Sequence, residues 1–587
     1  MRSAQVTTAA ALLLAACSSG GTGPADNVHS GLVTSDQTWG SDGTPQIVRG
    51  RVRIEGAKLT IAPGATLEFD AGAVLLVSLN GRLEGLGTAA APITMRGSQQ
   101  GRGRWIGLRF RASTANVLRY ANLSGCGAED PETADSIPAG CVVLGNQFKS
   151  DEAPAITLDH VTVDEAAGGG VGLYGQSRFE GTSSVLTVRN SGYVARIPAR
   201  EAGRFPLGGA FASNDTNDVR LTGGTVPDNT TLSLQVPWST EGDILVEGPS
   251  APTLVIPAGT VMRLDGALIA GRNAAGGIQI GSDGGAGVTL LPARERWGGV
   301  TFGPFAVGGG VSNAVLESCG IVATAICLTI QGSSVEGPAP MPILKNLTIR
   351  KAMGVGLAFL NGARPGPGSA NVTITETIQR PGLFGGEGGW PIGIDHSPVS
   401  AIPVGHYTGN YDDYIWINQV EVRETETWVK HDVPYYVFNW VEVGDGSSPV
   451  LTLDPGVTVI GAGGVWLYVG KTEPGAIRAV GTAAAPVVFR GLRDLAGDWG
   501  GISIGPAATS STLFDHAIVE NGGGAFPLFG NLLFYVDLGP VIRNTVVRGS
   551  AGCGVIITGS PPWATDFTAP ALGNTFAGNA GGNICGP

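Results

Sequence analysis

Apolar and polar residues alternate along Leu59-Thr60-Ile61, break at Pro63-Gly64, and alternate again along Thr66-Leu67-Glu68-Phe69. The pattern returns at Leu254-Val255-Ile256 around Pro257 and Gly259, and at Leu451-Thr452-Leu453 around Pro455-Gly456. A period of two belongs to a strand with one buried face, and a Pro/Gly break belongs to a tight turn. The chain therefore writes strand, turn, strand three times.

Other landmarks keep the same spacing. A tryptophan precedes each stretch (Trp39, Trp238, Trp428), and a second closes it in Trp105-Ile106-Gly107, Trp297-Gly298-Gly299 and Trp499-Gly500-Gly501. Gly87-Thr88-Ala89-Ala90-Ala91-Pro92 recurs unchanged at Gly481 to Pro486. These repeats divide the chain into units at 35–222, 223–419 and 420–587. Within each unit, short segments such as Ile156-Thr157-Leu158-Asp159-His160-Val161 and Leu513-Phe514-Asp515-His516-Ala517-Ile518 read as single strands ending in turns. Such a strand cannot bury its apolar side alone. Stacked on similar neighbours about 4.8 Å apart, it can.

The expected fold class is all-β, a right-handed parallel β-helix. Over residues 35–587 the order of tryptophan, Pro-Gly turn, Gly-Thr-Ala turn and Trp-Gly-Gly resembles β-helix repeat lipoproteins of Gram-negative bacterial surfaces. The first repeat departs at Met95 and Ile106, and the second lacks the Gly-Thr-Ala turn. Coils of about 23 residues would form one continuous rod rather than three docked modules.

Composition fits that reading. Gly 94 and Pro 37 supply turns, while charged residues are only 14 %, too few for many amphipathic helices. The net charge of −12 argues against a nucleic-acid partner. At the N-terminus a short apolar run ends in Leu14-Ala15-Ala16-Cys17, which resembles the bacterial lipobox. The resemblance implies a signal peptide over 1–16, lipid on Cys17, and a membrane partner reached through that anchor. Ser18 after the cysteine implies the outer membrane, with the body periplasmic or surface-exposed. Residues 17–34 then form a flexible tether. Six further cysteines in an exported chain suggest disulfides, and proximity favours Cys126–Cys141, Cys319–Cys327 and Cys553–Cys585. No cysteine–histidine spacing suggests zinc, and no metal or other cofactor is expected.

Candidate chemistry concentrates in residues 384–440, which hold eleven aromatic residues from Phe384 to Trp440. Trp390, Tyr407, Tyr411, Tyr414 and Trp416 are candidate glycan-binding residues, because flat rings suit sugar faces. His396, His406, His431, Asp412, Asp413 and Asp432 share the segment. Arg102, Arg104, Arg109 and Arg111 form a second candidate, a cationic patch for an anionic glycan. In Leu108-Arg109-Phe110-Arg111 the alternation places both arginines on one outward face. Glu129, Asp130, Glu132 and Asp135 make an acidic loop, most simply a solvated one. His160 and His516 occupy matching positions and read as turn residues. The alternative activity, a polysaccharide lyase or glycoside hydrolase, needs two carboxylates across a scissile bond, or an arginine or lysine beside calcium-binding acids. Only Asp412-Asp413 and Asn214-Asp215-Thr216-Asn217-Asp218 approach the motifs of such hydrolases. The expectation is a non-catalytic adhesion, scaffold or glycan-binding protein, its partner a polysaccharide or a surface protein.

Overall fold

The computed structural model describes residues 27–132, 139–146, 152–321, 325–333, 339–383, 386–524, 530–558 and 563–586. Cys17, Phe384 and Asp135 lie outside them. The chain forms a right-handed parallel β-helix, and its residues divide at Gly192/Tyr193 into two compact units. No helix among the described residues is long and apolar enough to cross a membrane.

In the first unit, Lys58–Ile61 pairs in parallel with Gln37–Trp39 and with Arg82–Leu86. The strands flanking Pro63-Gly64 therefore do not form a hairpin. They are two sides of one coil, each hydrogen-bonded to the coils on either side. The Ala65 amide donates to the Ala62 carbonyl at 3.1 Å, and Gly64 takes φ 75°. A side chain there would be strained, which is why the turn ends in glycine. Leu59, Ile61, Leu67 and Phe69 point inward with no exposed area. Each such side chain removed from water contributes about 1.5–3 kcal/mol. Coil length varies: Ile54 pairs with Val77, but Leu118 pairs with Leu158, because loops of different size leave the corners.

The stretch 17–34, expected to be a tether, overlaps a strand. Val28–Val33 is already a strand, paired in parallel with Gln46–Glu55. The mixed Val-His-Ser-Gly-Leu-Val sequence lacks clean alternation, so the sequence pattern hid it.

In the second unit the same turn recurs. Thr260 N donates to Pro257 O at 3.2 Å, and Val457 N donates to Asp454 O at 3.1 Å. The tryptophans that open the repeats are not equivalent, however. Trp39 pairs with Ile61 and Trp428 with Leu453, but Trp238 pairs with Met262, beyond the Pro-Gly turn. The second repeat places Thr230 and Thr231 against Leu254 and Val255 instead. By contrast, the closing tryptophans match closely. The indole N–H groups of Trp105, Trp297 and Trp499 donate to the carbonyls of Ser124, Glu317 and Glu520 at 2.9, 2.9 and 2.8 Å. The glycine two residues after each is equally constrained: a Cβ on Gly107, Gly299 or Gly501 would lie 2.3, 2.3 or 2.6 Å from a carbonyl oxygen of the next coil.

His516 bends the chain between the strands Leu513–Asp515 and Ala517–Glu520, whereas His160 lies within the strand Ala155–Asp164; both take a left-handed φ, 50° and 54°, with Nδ1 2.8 Å from Asp515 and Asp159. His396 belongs with them, at φ 49° beside Asp395. All three expected disulfides are present.

Candidate functional site

The aromatic segment begins as an outward row. Ile415 and Ile417 point into the core of the second unit, so Trp416 between them points out. It is nevertheless fully buried. Trp390 stacks on it with centroids 4.8 Å apart and planes 8° from parallel, and Phe438 packs on it at 5.6 Å. Ile326, Val355 and Ala358 complete an apolar cluster on this face. The assignment of Trp390, Tyr407 and Trp416 as sugar platforms is therefore corrected. These rings are 2 %, 0 % and 0 % exposed and present no face to a ligand. Tyr407 donates its hydroxyl to the Pro403 carbonyl, and burial raises its pKa. Of the five candidates, Tyr411 is exposed and Tyr414 half-buried.

Around these rings the polar groups serve the turns. Asp413 accepts the amides of Gly409 at 3.1 Å and Asn410 at 2.8 Å. Burial raises the Asp412 carboxyl, against hydrogen bonds from Tyr414 and Trp390 that lower it. The Trp390 N–H finds no well-formed hydrogen bond although both groups lie close to it. Burial also pushes the Tyr414 hydroxyl up to about 12.

The arginine patch is also corrected. Arg109 points outward as predicted, in register with Leu76 and Val143. It is only 3 % exposed, because Tyr174 packs on Val143 and the 127–132 loop lies alongside. Its guanidinium donates to the carbonyls of Leu108 at 3.2 Å and Gly140 at 2.9 Å, and its Nε finds no acceptor. Burial lowers its pKa to about 10, and Asp130 partly restores it. The acidic loop is not simply solvated either. Asp130 is buried and Glu132 exposed, and both meet Arg51, at 2.6 and 3.1 Å. Arg102 and Arg104 are exposed and Arg111 half-buried, so the four arginines do not form one surface.

A different cleft carries the convergent groups. It measures about 520 Å³ and lies where the Lys430–Tyr435 turn meets three successive strands of the second unit. Thr458, Val488 and Ile518 form its floor, one per coil, in direct register. All three point outward and are half-buried, since Val459, Phe489 and Val519 fill the core. The next row along the strands is ionic. Arg490 lines the cleft, and Glu520 accepts Arg548 Nε at 2.6 Å. Lys430 closes one end with its chain over Gly456. Among the described residues neither Lys430 nor Arg490 has a carboxylate within ion-pairing distance.

His431 and Asp432 form the wall. Asp432 is engaged by His406 Nδ1 at 2.7 Å and by the Tyr407 amide. The His431 ring lies edge-on to Tyr407 and Tyr435, with its Nε2 enclosed and unpartnered. Burial lowers its pKa to about 4, against the opposing charge of Asp432, so it is a neutral imidazole at pH 7. The cleft thus combines an aliphatic strip, two uncompensated cations, and a wall made of a neutral imidazole and a carboxylate already engaged by His406 and the Tyr407 amide.

Sequence reasoning singled out His431 and Asp432 but missed Lys430, Arg490, Val488 and Ile518. A signal was present. Val487-Val488-Phe489, Ala517-Ile518-Val519 and Val546-Val547 are unbroken apolar runs where a one-sided strand should alternate. An aliphatic residue on the outward side of three consecutive coils marks a face that is not plain solvent. Comparison of the chain with protein-family models, with curated proteins and with solved structures finds no match.

Proposed function

We propose that this chain is an exported lipoprotein, anchored in the outer membrane through lipid on Cys17, that binds an acidic polysaccharide without cleaving it. The observation that supports the binding reading most directly is the pair Lys430 and Arg490, uncompensated, over the aliphatic strip Thr458–Val488–Ile518. Sugar rings present C–H faces to such a strip, and their carboxylates meet the cations. A strip repeating at each strand, about 4.8 Å apart, offers successive positions to a linear polymer. The non-catalytic reading is favoured by Asp413, whose two carboxylate oxygens are taken by backbone amides rather than aimed across a cleft.

The anchor and the binding are tested separately. Metabolic labelling with a fatty acid should mark the wild type and not Cys17→Ser. The Cys17→Ser chain should bind polygalacturonate over a neutral glucan, with affinity falling steeply as salt rises. Lys430→Glu with Arg490→Glu should abolish that preference. Undiminished binding by the double variant, with its unfolding midpoint unchanged, would overturn the assignment of this cleft.

A further inference from the structure

The second unit holds another cleft, of about 490 Å³, on the outer side of Thr216–Leu221, Trp238–Thr240 and Val261–Leu264. Val219, Trp238 and Met262 point inward, and residues beside them line the cleft: Asp218, then Ser239, then Val261 and Arg263. Its walls are unusually apolar for an open surface. Leu234 is 62 % exposed and Val261 58 % exposed, with Pro237 between them.

The carboxylate of Asp218 is unevenly satisfied. Ser239 Oγ donates to Oδ2 at 2.6 Å, and Arg220 Nε approaches that same oxygen at 3.4 Å. Oδ1 is enclosed and has no hydrogen-bond partner. Arg220 cannot easily swing to correct this, because its guanidinium lies 4.1 Å over the Tyr193 ring and donates to Thr216 Oγ1 at 3.0 Å. Across Ser239, one strand further, Arg263 is exposed with no carboxylate in ion-pairing distance among the described residues. An acid lacking half its partners, an apolar channel and a free cation follow one another along one surface.

We propose that this cleft binds a primary alkylammonium group. The methylene chain would lie on Leu234 and Val261, the ammonium on Asp218, and a carboxylate carried by the same ligand on Arg263. The apolar walls suit methylenes, which gain nothing from water. With the carboxylate turned about its terminal bond so that Oδ1 faces the cleft, the ammonium would supply the charge-assisted hydrogen bond that this oxygen lacks. Asn214-Asp215-Thr216-Asn217-Asp218, which resembles a scrambled hydrolase motif, thereby acquires a binding role through its last residue.

Titration calorimetry of the Cys17→Ser chain with n-hexylammonium, n-hexanol and 6-aminohexanoate tests this. Hexylammonium should bind at least about tenfold more tightly than hexanol, the worth of one charge-assisted contact. Asp218→Asn should erase that difference, and Arg263→Gln should weaken 6-aminohexanoate alone. Val261→Asn, at a solvent-exposed position that leaves the core intact, should weaken all three. A peptide with a blocked N-terminus and a free lysine side chain competing with hexylammonium would support a protein source for the ammonium, and competition by free amines alone a small-molecule source. Equal binding of hexanol and hexylammonium, unchanged affinity in Asp218→Asn, or no saturable binding by any probe would overturn the proposal.

Discussion

Arg109 in the first unit and Trp416 in the second occupy the same kind of position. Each lies between two inward-pointing core residues, Leu108 and Phe110 in one case and Ile415 and Ile417 in the other. Each points away from the core of its coil, and each is buried all the same. The covers differ in chemistry. Arg109 lies beneath a tyrosine and an acidic loop, and Trp416 beneath stacked rings and aliphatic residues. Alternation along a strand tells which way a side chain points. It does not tell whether that side meets water, which depends on loops that leave the coil elsewhere in the chain.

Breaking the apolar cover should have the largest effect. Trp416→Ala removes a ring packed on Trp390 and Phe438 and leaves a cavity that the rigid strands cannot close. A loss of about 3–5 kcal/mol is expected in urea unfolding followed by tryptophan fluorescence. The polar cover should be weaker but more selective. Asp130→Ala leaves the buried Arg109 without its counter-charge and Arg51 with only the exposed Glu132, a cost of about 2–4 kcal/mol. Arg109→Met, similar in length and apolar, should cost much less or stabilise, because it removes a buried cation rather than its partner. If the two substitutions cost the same, the loop is held by something other than this charge arrangement.

The loop's covalent tie comes next. Cys126–Cys141 closes fifteen residues around this cover. Replacing both cysteines by alanine should cost about 3 kcal/mol in thermal unfolding. The fold and its pairings were largely legible from the sequence because each rests on local spacing: the Pro-Gly turns, the closing Trp-Gly corners, the even cysteine count. The candidate site was legible only in part. His431 and Asp432 stand out by residue type, but Val488 and Ile518 become a strip only when coils are placed in register. The aromatic segment misled for a related reason. Its rings meet one another across strands from Trp390 to Phe438, and that contact cannot be read from their crowding along the chain.

A pH series compares the neutral imidazole in the cleft wall with the rest of the unit. His431 has an ordinary pKa near 6.5 when unfolded and about 4 when folded. The unfolded chain therefore takes up a proton first as pH falls. The stability associated with the neutral ring is present above pH 6.5 and is lost progressively down to about pH 4. Partial exposure tempers the effect to on the order of 2 kcal/mol. Urea midpoints measured from pH 7 to pH 4 should fall more steeply for the wild type than for His431→Gln. Parallel slopes would mean that the ring is hydrated after all.

The smallest expected effect is at Tyr411, and it separates burial from composition. Tyr411 belongs to the same aromatic segment as Trp416 yet is 54 % exposed. Its backbone amide reaches toward Thr377 Oγ1 at 3.4 Å, a contact that survives truncation of the side chain. Tyr411→Ala should therefore shift unfolding by no more than about 0.5 kcal/mol. It should also leave polygalacturonate binding unchanged, since the ring does not line the Lys430–Arg490 cleft. A stability loss near that of Trp416→Ala would mean that the segment's rings act as one packed body regardless of exposure. Lost glycan binding at unchanged stability would instead return the saccharide site to the aromatic segment and away from the aliphatic strip.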